Sequence, residues 1–143
     1  MPVTILPFGY TSGVNVVKSV SGVATFDMLG VSSKTPTTPT LAGGANVQQI
    51  SLTENTTAAV TGFSAASGTS PRATSNAGQR VTFIIVQNAS AAKTWTWPAN
   101  VIGGMTISAT LSSINVQTFV ISNAGLTLYA CDAGITGMTG GTP

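Results

Sequence analysis

Short runs of β-branched and apolar residues recur along this chain, cut off by Gly, Asn and Pro. A period of two is the pattern of a pleated strand with unlike faces, and no window carries the 3.6-residue recurrence of an amphipathic helix. The runs predict strands at Val14–Val20, Val23–Met28, Val47–Thr53, Thr57–Thr61, Val81–Asn88, Thr94–Trp97, Met105–Ala109, Asn115–Ser122 and Leu126–Cys131. Val, Ile and Thr fill them, residues that lose χ1 freedom in a helix and pack well on a pleated surface. The expected fold is all-β, an antiparallel β-sandwich or jelly-roll-like domain with an N-terminal extended portion.

Two runs stand out. Val81–Gln87 is nearly apolar on both faces, which predicts a central strand buried on both sides. Thr94–Trp97 alternates strictly and puts Trp95 and Trp97 on one face, with Pro98 ending the run because it has no N–H for a ladder. A core anchor is the first reading of that pair; an aromatic contact for a sugar or a neighbouring subunit is the second. The tetrapeptide Ser-Asn-Ala-Gly occurs at Ser75–Gly78 and Ser122–Gly125, residues suited to tight turns, and the second copy reads as a hairpin loop. A repeated turn is not a sequence repeat, and no recurrence at solenoid or propeller periods is visible.

Between the runs, the organisation is uneven. Val31–Ala45 carries Pro36 and Pro39 among threonines and ends in Gly43-Gly44, an extended path with a flexible joint. Ser64–Ala77 has few apolar anchors and reads as a long loop. Three portions result: residues 1–46, an arm or edge segment with its linker; residues 47–133, the β-sandwich domain; and residues 134–143, a Gly/Thr-rich tail. Ahead of the first strand, Val3, Ile5, Leu6, Phe8 and Tyr10 are interrupted by Pro2, Pro7 and Gly9. That segment is too broken for a helix yet needs cover, so these five are candidate partner-binding residues, with an edge strand on the same domain as the alternative.

Charge changes the picture. The 143 residues include five Lys or Arg, three Asp or Glu and no His, with a mean hydropathy of +0.38. Globular domains usually devote about a quarter of their residues to charge, so this chain has little polar surface to keep it dispersed as a monomer. No run approaches the roughly 20 residues of a membrane span, and the N-terminus has no basic leader. The five cations are scattered rather than clustered against phosphates, so neither a nucleic acid nor a membrane is an expected partner. Asn55-Thr-Thr and Asn88-Ala-Ser match the glycosylation pattern but read as chance without a secretory route.

Catalytic equipment is equally sparse. Without His, the commonest general base is missing. Asp27, Glu54 and Asp132 stand apart in sequence, short of a paired-carboxylate site, and one Cys with three acids does not make a zinc or calcium site. Cys131 reads as a small buried apolar residue. The expectation is a non-enzyme with no cofactor, no metal and no catalytic residues.

From about Val47 to Asp132 the chain resembles β-structured modules of tailed-bacteriophage virion proteins. The likeness rests on Gly78-Gln-Arg-Val-Thr-Phe-Ile-Ile-Val-Gln-Asn88, on Thr94-Trp-Thr-Trp-Pro98 and on Leu126-Thr-Leu-Tyr-Ala130. Such modules occur in capsid decoration (cement) proteins, head fibres and tail-fibre segments. The resemblance implies a structural virion protein on the outer surface of a capsid, with the major capsid protein and copies of itself, as a homotrimer, for partners. The alternative it leaves open is a tail-fibre or receptor-binding module that recognises a host glycan through Trp95 or Trp97. A cellular adhesin or pilin is a third reading, set against the missing leader.

Overall fold

The computed structural model describes residues 14–27, 47–61, 78, 80–122 and 127–141. Among them the protein is all-β: ten strands and no helix. Strands β1 (Val14–Val17), β2 (Val23–Asp27), β3 (Val47–Ser51), β4 (Thr56–Thr61), β5 (Arg80–Val86) and β6 (Trp95–Thr96) are followed by β7 (Val101–Ile102), β8 (Ile114–Ile121), β9 (Leu128–Ala130) and β10 (Ile135–Met138).

The first six strands are shared out alternately between two sheets. In sheet A, β1, β3 and β5 run parallel and in register, Val14 beside Val47 beside Thr82. In sheet B, β2, β4 and β6 run parallel, Val23 beside Thr57 beside Thr96. Each sheet A strand is therefore followed by a sheet B strand, and the pair recurs three times. Equivalent positions lie 33 and 35 residues apart in sheet A (14 to 47 to 82) and 34 and 39 apart in sheet B (23 to 57 to 96). These strand pairs form a three-rung stack, in which each strand hydrogen-bonds to its equivalent in the adjacent rung and β5 also to β8.

The remainder of the chain turns back. β8 lies antiparallel to β5, β9 and β10 both pair with the far side of β8, and β7 adds to β9 in parallel. Parallel pairings thus outnumber antiparallel ones, which corrects the antiparallel expectation. β-Branched runs between turn residues signal strands but not their direction. Parallel neighbours need a connection of a dozen residues or more, and here each rung's second strand and the stretch after it provide that length.

Strand limits differ in detail as well. Met105–Ala109, expected as a strand, is an irregular crossing segment, while β7 arises outside the predicted runs and β10 in the stretch read as a tail. Strands on both sides of residue 47, and on both sides of residue 134, share ladders. Ser122 and Thr127 are joined by a 2.8 Å bond from the Ser122 N–H to the Thr127 carbonyl, closing the β8–β9 hairpin foreseen at the second Ser-Asn-Ala-Gly.

Side chains pointing inward from both sheets form one core. Ile50, Val81, Phe83, Ile85, Phe119 and Ile121 come from sheet A, and Ala24, Phe26, Ala58 and Val60 from sheet B. Phe26 meets Phe83 edge to face with centroids 5.0 Å apart, so the two sheets face each other at this point.

The corners between sheets stack as the strands do. Glu54 in the second corner accepts the Ser19 hydroxyl at 2.7 Å and the Gly22 N–H at 2.9 Å from the first. Those two donors hold its carboxyl below the usual carboxylate range, the backbone N–H contributing most. Asn88 in the third corner donates to the Leu52 carbonyl at 3.0 Å, and Asn55 accepts the Thr94 N–H at 3.0 Å. Gly22 has a φ of 77°, which lets its N–H turn toward Glu54.

Buried amides do similar work below sheet A. Gln117 accepts the Met105 N–H at 2.7 Å and donates to the carbonyls of Gly103 and Asp132 at 2.9 and 2.8 Å. Asn115 donates to Ile85 at 3.1 Å and accepts from Ser108 and Gly137. Gln87 donates to the carbonyls of Lys93 and Ser108 and accepts from the N–H groups of Asn88 and Lys93. A buried polar group without partners is costly; these amides pair mostly with backbone of the loops, and Asn115 also with Ile85 of β5 and Gly137 of β10.

Candidate interaction face

The two sheets have unlike outer faces. On sheet B the outward positions include Val23, Thr25, Thr57, Ala59 and Thr96, small and mostly hydroxylated. On sheet A they are predominantly apolar. Strand register places them in four rows running across the strands. One row holds Arg80, Val120, Tyr129 and Ile102. The next holds Val14, Val47, Thr82 and Thr118. The third holds Val16, Gln49, Ile84, Val116 and Ile135, and the fourth Ser51, Val86, Ile114 and Met138.

The alternation of β8 explains how this arises. Its sequence, INVQTFVI, reads like a strand with valines inside and amides outside. The fold inserts it in the opposite phase: Asn115 and Gln117 are buried, and Ile114, Val116 and Val120 point out. The inner amides hold their loops and share the inward phase with Phe119 and Ile121, which leaves Ile114, Val116, Thr118 and Val120 facing away from the core. β3 does the same with Gln48, which is buried while Val47 is on the outside.

Rim residues of this face are open: Val16 is 62% exposed and Ile135 61%, with Val14, Tyr129, Ile102 and Met138 also exposed. Central residues Ile84, Val86, Val116 and Val120 are partly buried by their neighbours on the sheet. A sheet with one wet face normally alternates apolar in and polar out. Here polar relief is limited to Arg80, Gln49, Ser51 and the Thr82–Thr118 pair, whose hydroxyls bond each other at 2.8 Å. No carboxylate lies in the four rows.

This corrects the reading of Val81–Gln87 as a strand covered on both sides. β5 is central in sheet A, between β3 and β8, and Val81, Phe83 and Ile85 are fully buried. Ile84 and Val86, on its other face, are only partly covered. Cys131 likewise is exposed rather than buried, because β9 ends at Ala130 and the next residue follows the outward side of the strand, its N–H on the Thr118 carbonyl at 2.9 Å.

Trp95 and Trp97 are brought together against the core. Their rings stand edge to face with centroids 5.3 Å apart; Trp95 also meets Phe26, and Trp97 meets Phe83 and Phe119. Trp97 donates its indole N–H to the Met105 carbonyl at 2.9 Å, and it lies so close to Gly104 that a Cβ there would collide with the indole. The Trp95 N–H is buried with no hydrogen-bond partner. An open cleft of about 260 Å³ borders Trp95, lined also by Lys93, Thr94, Thr106 and Ile107. The remaining candidates, Val3, Ile5, Leu6, Phe8 and Tyr10, lie outside the described residues.

The outward residues of sheet A were the ones sequence reading missed as candidates. Their signal in the sequence is the two-sided apolar character of β5, which alone reads as a strand buried on both sides. Among the described residues, no three of Cys, Asp and Glu come together as metal ligands. Comparison with known protein families, with curated proteins and with solved structures found no match to this chain.

Proposed function

We propose that this protein is a structural, non-enzymatic virion component: a capsid decoration protein that binds an assembled phage capsid lattice on its outer surface and stabilises it. Its partners are the major capsid protein and copies of itself in a homotrimer, with neither nucleic acid nor membrane involved. Its body is read as a sandwich of two facing sheets stacked in rungs. The observation that carries the proposal is the apolar outer face of sheet A on a chain with five basic and three acidic residues. Apolar surface of that continuity marks a place of association. A protein that binds only the assembled shell stabilises it by mass action, and sparse charge leaves such binding little affected by salt.

The rival reading, a tail-fibre module recognising a host glycan, has the cleft beside Trp95 in its favour. Against it, both indoles are engaged with core phenylalanines. Co-sedimentation with empty shells and with unassembled capsid subunits separates the two. Decoration predicts binding to shells alone and a higher shell melting temperature, with Met1–Thr11 deletion weakening binding if those residues form the docking arm. Binding to host polysaccharide with no shell association would replace the decoration reading with the glycan one.

A further inference from the structure

We infer that the outer face of sheet A is where a second copy of this chain packs. This deepens the assembly reading above and rests on its self-association, but a face that meets its own copy closes as a two-fold pair, so the species expected here is a dimer where that reading has a trimer. Three observations point to a like partner.

The first is size. The seventeen positions of the four rows, each covering about 4.8 Å by about 6.6 Å, give a footprint of roughly 540 Å². That approaches the ~800 Å² per partner of a standard protein interface, and the accessible area exceeds the flat footprint because side chains stand above the sheet.

The second is charge. The four rows contain Arg80 alone, at one corner, and no acid. An anionic partner would find only Arg80 at one corner and Lys18 beside Val16 and Ser51 at the edge, whereas a second copy presents an equally apolar, uncharged centre around Ile84 and Val116. Sheets packed face to face with interdigitating side chains, about 10 Å apart, are an established way to cover such rows.

The third is the contrast within the molecule. Sheet B, built from the same rungs, turns threonines outward, so the apolar character of sheet A is not simply the composition of the chain. The face is distinguished from its counterpart by what must cover it.

Cys131 supplies a native reporter. It is the chain's one cysteine, it is exposed, and it extends the row of Val14, Val47, Thr82 and Thr118. The test is sedimentation equilibrium of the full chain across a concentration series, with Cys131 labelling by a thiol reagent at each concentration. The expected species has at least twice the 14.3 kDa chain mass, and labelling slows as it forms. A V16K/I135K double variant places lysines at two exposed rim positions where folding does not need the apolar group. It should retain the monomer's circular dichroism and weaken association by at least about 100-fold, since burying unpaired ammonium groups is costly. I84T serves as a milder, uncharged check at the centre.

A wild-type chain that stays monomeric throughout the series overturns the inference. So does an oligomer whose mass and Cys131 labelling are unchanged by both variants, because copies then meet elsewhere. Shell binding is measured separately, so failure of the decoration reading leaves the self-association result standing.

Discussion

The Phe26 ring stands edge-on to Phe83 across the space between the sheets, at an interplanar angle of 79°. Phe26 sits in the first rung and Phe83 in the third, so this contact ties the two ends of the stack as well as its two faces. Around it, Phe83 also meets Trp97 and Phe119, so that it shares with Trp97 the largest number of ring contacts in the aromatic cluster, three each.

Phe83→Ala should therefore be among the most damaging single changes, costing about 3–5 kcal/mol through lost burial and the cavity left behind. Urea unfolding measures it. Phe83→Leu, which refills much of the volume, should cost distinctly less; equal losses for the two variants would mean that ring contacts, not volume, dominate here.

Gln117 should matter nearly as much, for a polar reason. Replacing it by Leu removes the acceptor for Met105 and the donor for Gly103 and Asp132, leaving three backbone groups unpaired. The expected cost is about 3–5 kcal/mol despite the gain in hydrophobicity, because unpaired buried polar groups cost more than an average hydrogen bond contributes. Hydrogen exchange should rise at the Met105 amide in particular. A Leu variant as stable as wild type would show that these loops do not depend on the amide.

Glu54 makes one corner pH-sensitive. Its carboxyl titrates lower in the folded protein than in the unfolded chain, so its contribution is present above the unfolded value of about 4.3 and is lost as pH falls through the lower folded value. Between pH 7 and pH 3 the wild type should lose more melting temperature than Glu54→Gln, which keeps an acceptor but has no charge to lose. Parallel pH profiles for the two proteins would remove Glu54 as the cause.

Much of the fold was legible in the residues themselves. Eight of the ten strands fall within or overlap predicted runs, and the centrality of Val81–Gln87 followed from its apolar character. The three-rung stack was hidden because the stacked segments VNVV, VQQIS and RVTFIIV keep no residue in register through all three, only the spacing and the parity. Parallel stacking asks nothing more of them, since backbone hydrogen bonds carry the ladder and the side chains need only fit their neighbours.

For the candidate face, the decisive gap was phase. Alternation in Ile114–Ile121 determines that unlike residues occupy opposite sides, and that much the amino acids settle alone, because successive Cβ atoms leave a strand in opposite directions. Which side is inside is a property of the whole assembly of loops. Met105, Gly103, Asp132, Ser108 and Gly137 bring backbone groups beneath β8 from distant parts of the chain, and only amides at Asn115 and Gln117 satisfy them. Hydrogen-bond demand inside the fold, which no single strand records, turns the valines outward. Composition and periodicity thus determined an all-β, charge-poor chain; the tertiary structure decided strand direction, the three rungs and the apolar face, since each depends on residues far apart in sequence meeting.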